Sequence, residues 1–200
     1  ALLCYLAAEG GKRPRAHLAE LLWPRSEGRR ARTDLRTTLT ALRKALGHDG
    51  AEGGGKGVRP LAVDGDLLGV EPRGVELDLT TLEAAASLAR SETSEIPSKE
   101  NKIHDAEGRR DTIARLEAAL GVYKGEFMEG FSLEDAPEFE LWLEAQRARW
   151  RGVFGELCER VSRLQAGAGR LEEAIGTARL WARHAPLEEG AHLRLAELLS

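Results

Sequence analysis

The sequence predicts a mainly α chain in two parts: a cluster of short helices closed by a β-hairpin, then an all-α body. Three observations predict it. Leucines recur at helical spacing through residues 29–46, and apolar residues do so again from about 111 to 199. Two short apolar runs, RPLAV and DLLGV, flank Asp64-Gly65, which is a hairpin signature. The charge also divides: residues 1–60 hold 12 Lys and Arg against 6 Asp and Glu, and the rest hold 17 against 27.

A hydrophobic fraction of 42% beside 31% charged residues is the balance of a globular protein, neither disordered nor membrane-bound. No apolar run approaches the roughly 20 residues that span a bilayer, and there is no signal peptide. A cytoplasmic location with no membrane partner is therefore expected. Cys4 and Cys158 each sit inside an apolar helical pattern, which reads as buried thiols in a reducing compartment rather than a disulfide. A basic head on an acidic body points to one end that meets a polyanion.

In chain order, Leu2, Leu3 and Leu6 mark the end of a helix that closes at Gly10-Gly11. The chain starts inside that helix, so a preceding segment is expected in the natural protein. Pro14 suits the first turn of a second helix, with Leu18, Leu21, Leu22 and Trp23 as its stripe and Pro24 as its stop. After the PRSEG turn, Leu35, Leu39, Leu42 and Leu46 recur at i, i+4, i+7 and i+11, and Gly47 ends that helix. Residues 48–58 are too rich in glycine for a packed element and read as a flexible loop. The hairpin over 61–70 follows. Three helices and a hairpin form the element order of a winged helix-turn-helix.

From Val75 the pattern is helical: about 78–90, then 111–124, 135–166, 170–184 and 187–199. The polar stretch 91–110 reads as mobile. The expected domains are 1–74, a winged helix-turn-helix lacking its N-terminal strands, and 75–200, an all-α tetratricopeptide-like domain.

With its four leucines facing a core, helix 29–46 turns Arg29, Arg30, Thr33, Arg36, Thr37, Thr40 and Lys44 outward, with Arg32 and Arg43 on the shoulders. Asp34 sits toward one edge. Arg bonds guanine bidentately, Thr bonds a base edge or touches a thymine methyl, and Lys and Arg neutralise phosphates. A cationic face on an isolated helix is most often simply solvated. Two features favour DNA: the face lacks the interleaved Glu of an ordinary surface helix, and a short helix with a tight turn precedes it.

At these residues a resemblance enters. LAELLWP, RRARTDLRTTLTALRKALG, LAVDGDLLGVE and VELDLTTLEAA resemble the Streptomyces antibiotic regulatory proteins, which join an OmpR-like winged helix to a bacterial transcriptional activator domain. LEAALGVYKGEFMEGF and FELWLEAQRARW are similar to that activator domain's helices. The resemblance implies a transcription activator, dimeric on tandem direct repeats in double-stranded promoter DNA, that recruits RNA polymerase. It implies that helix 29–46 is the recognition helix and that hairpin 61–70, turning at Asp64 and Gly65, is the wing, reaching toward the minor groove. Where the family often carries Asn-Asn, this chain has Thr33 and Asp34, so base preference is left open. The family also opens with a small sheet that this chain lacks, and the loop 47–60 is longer and more glycine-rich here than the resemblance implies.

Gly169, Ala174, Ala178 and Pro186 fit the turn glycine, close-packing alanines and terminating proline of a tetratricopeptide repeat, although Trp181 replaces a usual small residue. The last helix reaches Ser200 without a polar cap, so a continuation such as an ATPase or further repeats is expected. Glu126, Glu129, Glu134, Asp135, Glu138, Glu140 and Glu144 read as a solvated acidic face, with a docking site for a basic partner as the other reading. GAEGGGKG at 50–57 fails as a phosphate-binding loop because Gly57 stands where Ser or Thr would hold Mg²⁺. His184 and His192 flank a proline turn and come within reach of each other, but two histidines make no zinc site. No cofactor, metal or catalytic activity is expected. The rival reading is a protein-interaction module of a larger regulator whose winged helix no longer binds DNA.

Overall fold

Glycine and proline set the first boundaries. The computed structural model describes residues 1–46, 60–71, 76–91 and 102–200, with 102–106 as backbone only. The glycine-rich loop, the Gly50–Gly57 motif and residues 92–101 lie outside that set. The chain falls into two units, Ala1–Leu77 with Gly130–Glu144, and Asp78–Glu129 with Ala145–Ser200.

In the first unit, helix α1 (Leu2–Glu9) buries Leu2, Tyr5 and Leu6 and stops at Gly10, whose φ of +63° few other residues adopt. Strand β1 (Lys12–Pro14) follows, then α2 (Arg15–Leu22), which buries Leu18, Ala19, Leu21 and Leu22. Pro14 caps α2 with the fixed φ that suits a helix start. Helix α3 (Gly28–Ala45) matches the predicted 29–46 closely. The hairpin is β2 (Leu61–Asp64) and β3 (Leu67–Val70).

The three strands pair antiparallel in the order β1-β3-β2. Strand β1 was not expected. Lys12-Arg13-Pro14 has no apolar alternation, and it is extended because Lys12 pairs with Gly69 and Pro14 with Leu67. Position 69 must be glycine: a Cβ there would stand 2.5 Å from the Gly11 carbonyl oxygen. The turn also differs from expectation. Asp64 still pairs with Leu67, so the two-residue turn is Gly65-Asp66 rather than Asp64-Gly65, with φ +57° at Gly65.

Residues 130–144, read from the sequence as part of the helical body, group with this unit. They include the start of α6 (Pro137–Gly167). Ala136, Phe139 and Leu143 are fully buried. Phe139 and Trp142 rings lie 5.1 Å apart, and Trp142 and Tyr5 4.8 Å.

The second unit comprises α4 (Asp78–Ser91), α5 (Lys102–Leu120), the remainder of α6, α7 (Leu171–His184) and α8 (Glu189–Leu199). Helix α5 begins nine residues before the predicted 111, so the polar stretch 91–110 is in part helical; it ends at Leu120 because Gly121 enters a turn. Leu82, Ala85, Ala86, Leu116, Leu120, Trp150, Phe154, Leu157, Val161 and Trp181 form the core. Ala174, Ile175, Ala178 and Leu198 form a second cluster where α7 packs on α8. Gly169, at φ +76°, turns the chain into α7. Trp181, the large residue in a place for a small one, fits because the small residues lie opposite it: a Cβ at Gly155 or at Gly190 would stand 3.1 Å from its indole. No helix among the described residues is long and apolar enough to cross a membrane.

Candidate nucleic-acid interface

Helix α3 owes its orientation to three residues. Ala31, Leu35 and Leu39 are buried, at about 1.5–3 kcal/mol for each leucine. Leu42 and Leu46, expected to share that role, are only partly buried. The core of this unit reaches along the first part of the helix and thins toward its end. Arg43 and Lys44 lie in the last turn, where cations suit the helix dipole.

Opposite the buried stripe, Arg29, Arg30, Arg32, Thr33, Arg36, Thr37, Thr40, Arg43 and Lys44 are all exposed. None of the six cations among them forms an ion pair with a described residue, whereas arginines elsewhere in the chain, such as Arg13, Arg25, Arg90 and Arg170, do. Unpaired guanidinium groups along one face leave their full charge and all their donors available for an anionic partner. The three threonines behave alike: Thr33 Oγ1 donates to the Arg29 carbonyl at 3.1 Å, Thr37 to Thr33 at 3.1 Å and Thr40 to Arg36 at 3.0 Å.

On one flank of α3 is an open cleft of about 590 Å³, lined by Arg15, Ala16, Arg32, Leu35, Arg36, Gly65 and Asp66. Three elements build it: the start of α2, the arginine flank of α3, and the hairpin turn. The Arg15 amide donates to the Asp66 carbonyl at 2.9 Å, which pins the turn to α2. The Arg15 Nε is itself buried without a partner among the described residues. Arg15 was absent from the residues expected in the site. Its only sequence signal is its place just after Pro14, and the hairpin that completes the cleft arrives from 50 residues further on.

The expected wing residues serve the hairpin itself. Asp64 accepts a 2.8 Å hydrogen bond from Lys12 Nζ, tying β2 to β1, and that bond and charge hold its carboxyl below the usual range. Gly65 supplies the turn. Residues 60–71 carry no Lys or Arg, and beside the paired Asp64 they hold Asp66 and Glu71, whose charge opposes contact with phosphate.

Part of the acidic cluster is engaged within the fold, and most of its members are exposed. Asp135 pairs with Arg25, Glu126 with Arg147 and Arg151, and Glu140 Oε1 accepts the Leu133 amide. His184 and His192 do not meet: His184 rests edge-on against Tyr123 and Phe154, and His192 bonds the Pro186 carbonyl. Among the described residues no group of three potential ligands could hold a metal.

Residues 77–199 match the family model of the bacterial transcriptional activator domain. No curated protein matches the chain.

Proposed function

The chain belongs to the bacterial transcriptional activator domain family, and from that premise we propose that it is a sequence-specific DNA-binding regulator which reads promoter DNA with α3. The observation that carries the reading is the outward face of that helix: nine exposed polar side chains, six of them cations without an ion pair among the described residues.

A helix of 18 residues is about 27 Å long and fits the major groove. Arg32 and Arg36, with Arg15 across the cleft, form a grip for a backbone phosphate, since three arginines line that cleft against a single carboxylate, Asp66. The hairpin braces this grip by holding the start of α2; with Asp66 in its turn and no Lys or Arg of its own it is poorly suited to enter a minor groove. Activation through RNA polymerase and dimeric binding to direct repeats rest on the family and on the resemblance to antibiotic regulatory proteins. Domains at 1–74 and 75–200 remain the working division of labour.

The test is selection of genomic duplexes by the full-length protein. A shared sequence is expected to enrich, with affinity falling steeply as salt rises. Thr37→Ala is expected to cost on the order of 1–3 kcal/mol on the selected site, and Arg36→Ala, as a phosphate contact, to weaken selected and random duplexes alike. Failure to enrich any sequence would move the chain to the rival reading, an interaction module.

A further inference from the structure

We propose that Thr33, Thr37 and Thr40 are the base-reading residues of α3 and that they read thymine C5-methyl groups, the neighbouring arginines gripping phosphate. This rests on the reading of α3 as a DNA-binding helix. It adds which residues read sequence, and by what chemistry.

Two observations carry it. The first is position on the helix. At about 100° per residue, with Leu35 pointing inward, Thr33 and Thr37 lie within about 20° of the outward pole and Thr40 within about 40°. Arg32, Arg36 and Arg43 lie some 80–120° from that pole, on the flank whose first two members line the cleft with Arg15. The arginines therefore flank the groove floor, and the threonines face it. Arg30 and Lys44 also lie near the pole, on side chains longer than a threonine's and suited to a phosphate further from the groove floor.

The second is the state of the hydroxyls. All three donate their only proton to the carbonyl four residues back, at 3.0–3.1 Å. Such a threonine can donate to a base acceptor such as guanine O6 or N7 only by giving up that bond, and the bond favours one side-chain rotamer. What remains for a partner is the γ-methyl and the oxygen lone pairs. In the major groove the matching apolar feature is the thymine methyl. Along the axis, Thr33 to Thr40 covers about 10.5 Å, roughly three base-pair steps of 3.4 Å. The site is thus a short stretch in which thymines fall at two or three neighbouring steps.

Deoxyuridine substitution tests this on the full-length protein. Each thymine of a selected duplex is replaced singly by deoxyuridine, which lacks only the methyl, and affinity is measured by fluorescence anisotropy for wild type, Thr37→Val and Thr37→Ser. Both variants alter an exposed side chain. Loss of one methyl contact is expected to weaken wild type and Thr37→Val about fourfold at one thymine, the worth of one buried methyl-sized group. Thr37→Ser is expected to bind the thymine and deoxyuridine duplexes equally at that one position and to discriminate as wild type does at the others. Full affinity for deoxyuridine at every position would overturn the proposal, as would Thr37→Ser binding like wild type while Thr37→Val fails, since the hydroxyl would then be the reader. If no sequence enriches at all, the DNA reading itself falls.

Discussion

Trp142 Nε1 donates to Glu9 Oε1 at 2.8 Å, joining the start of α6 to the end of α1 across 133 residues. The Trp142 ring also rests on Tyr5 and Phe139. Residues 130–144 are thereby part of the unit that carries α3. Trp142→Phe keeps an aromatic ring and deletes a hydrogen bond to a carboxylate, which is expected to cost about 1–2 kcal/mol. Trp142→Ala is expected to cost about 3 kcal/mol or more. Urea denaturation gives the values, and hydrogen exchange in α1 shows where the loss falls. Unchanged protection of α1 in Trp142→Ala would contradict the linkage.

Glycine 155 and Glycine 176 are both helical, and substitution at the two is expected to act in opposite directions. A Cβ at Gly176 meets nothing within 4 Å, so Gly176→Ala is expected to stabilise by about 0.5–1 kcal/mol through helix propensity. At Gly155 the Cβ would press on Trp181 at 3.1 Å, and Gly190 approaches the same indole at 3.1 Å, so the ring has little room to yield. Gly155→Ala is expected to cost about 1–3 kcal/mol. Thermal melting by circular dichroism separates the two.

Cys158 is buried among the α6 core residues, and burial pushes its thiol well above the ordinary value of 9.0. The unfolded chain releases this proton near that ordinary value while the folded chain retains it. Stability is therefore present below about pH 9 and is lost as pH rises beyond it, at up to about 1.4 kcal/mol per pH unit. Cys158→Ala is expected to be less stable at pH 7 and to show a flatter decline between pH 9 and 10. Ellman's reagent is expected to titrate one thiol in the native chain, the partly exposed Cys4, and two in denaturant.

Arg15 and Asp66 face one cleft with opposite charge. If the cleft grips phosphate, Arg15→Ala is expected to weaken binding to all duplexes alike and to lower the salt slope by about one. Asp66→Asn is expected to tighten binding roughly two- to fivefold at low salt and less at high salt. Salt titrations of binding to selected and random duplexes measure both. A loss in Arg15→Ala confined to the selected duplex would make it a base contact instead.

Helix α3 was legible because its leucines repeat at helical spacing and glycine and proline bracket it; the hairpin was legible from an Asp-Gly between two apolar runs. The cationic face followed from the same wheel, and all nine of its residues are exposed as that wheel requires. Strand β1 was not legible, since only its pairing with β3 makes Lys12-Arg13-Pro14 extended. Neither was the anchor of α3 fully: Ala31 replaces Leu42 and Leu46 in the buried stripe because packing, not hydrophobicity, decides which turn meets the core. Arg15 stayed hidden because a cleft is a property of three elements at once.

Local periodicity, turn chemistry and charge are properties of neighbours in the chain, and from them the sequence by itself determined which segments are helices, where the hairpin lies, and which face of α3 carries cations. Only tertiary structure decided that residues 130–144 pack with α1, that Gly155 and Gly190 make room for Trp181, and that Arg15 lines one cleft with Arg32 and Arg36. Each of these depends on distances between residues far apart in the chain, which close packing sets and no short-range pattern encodes.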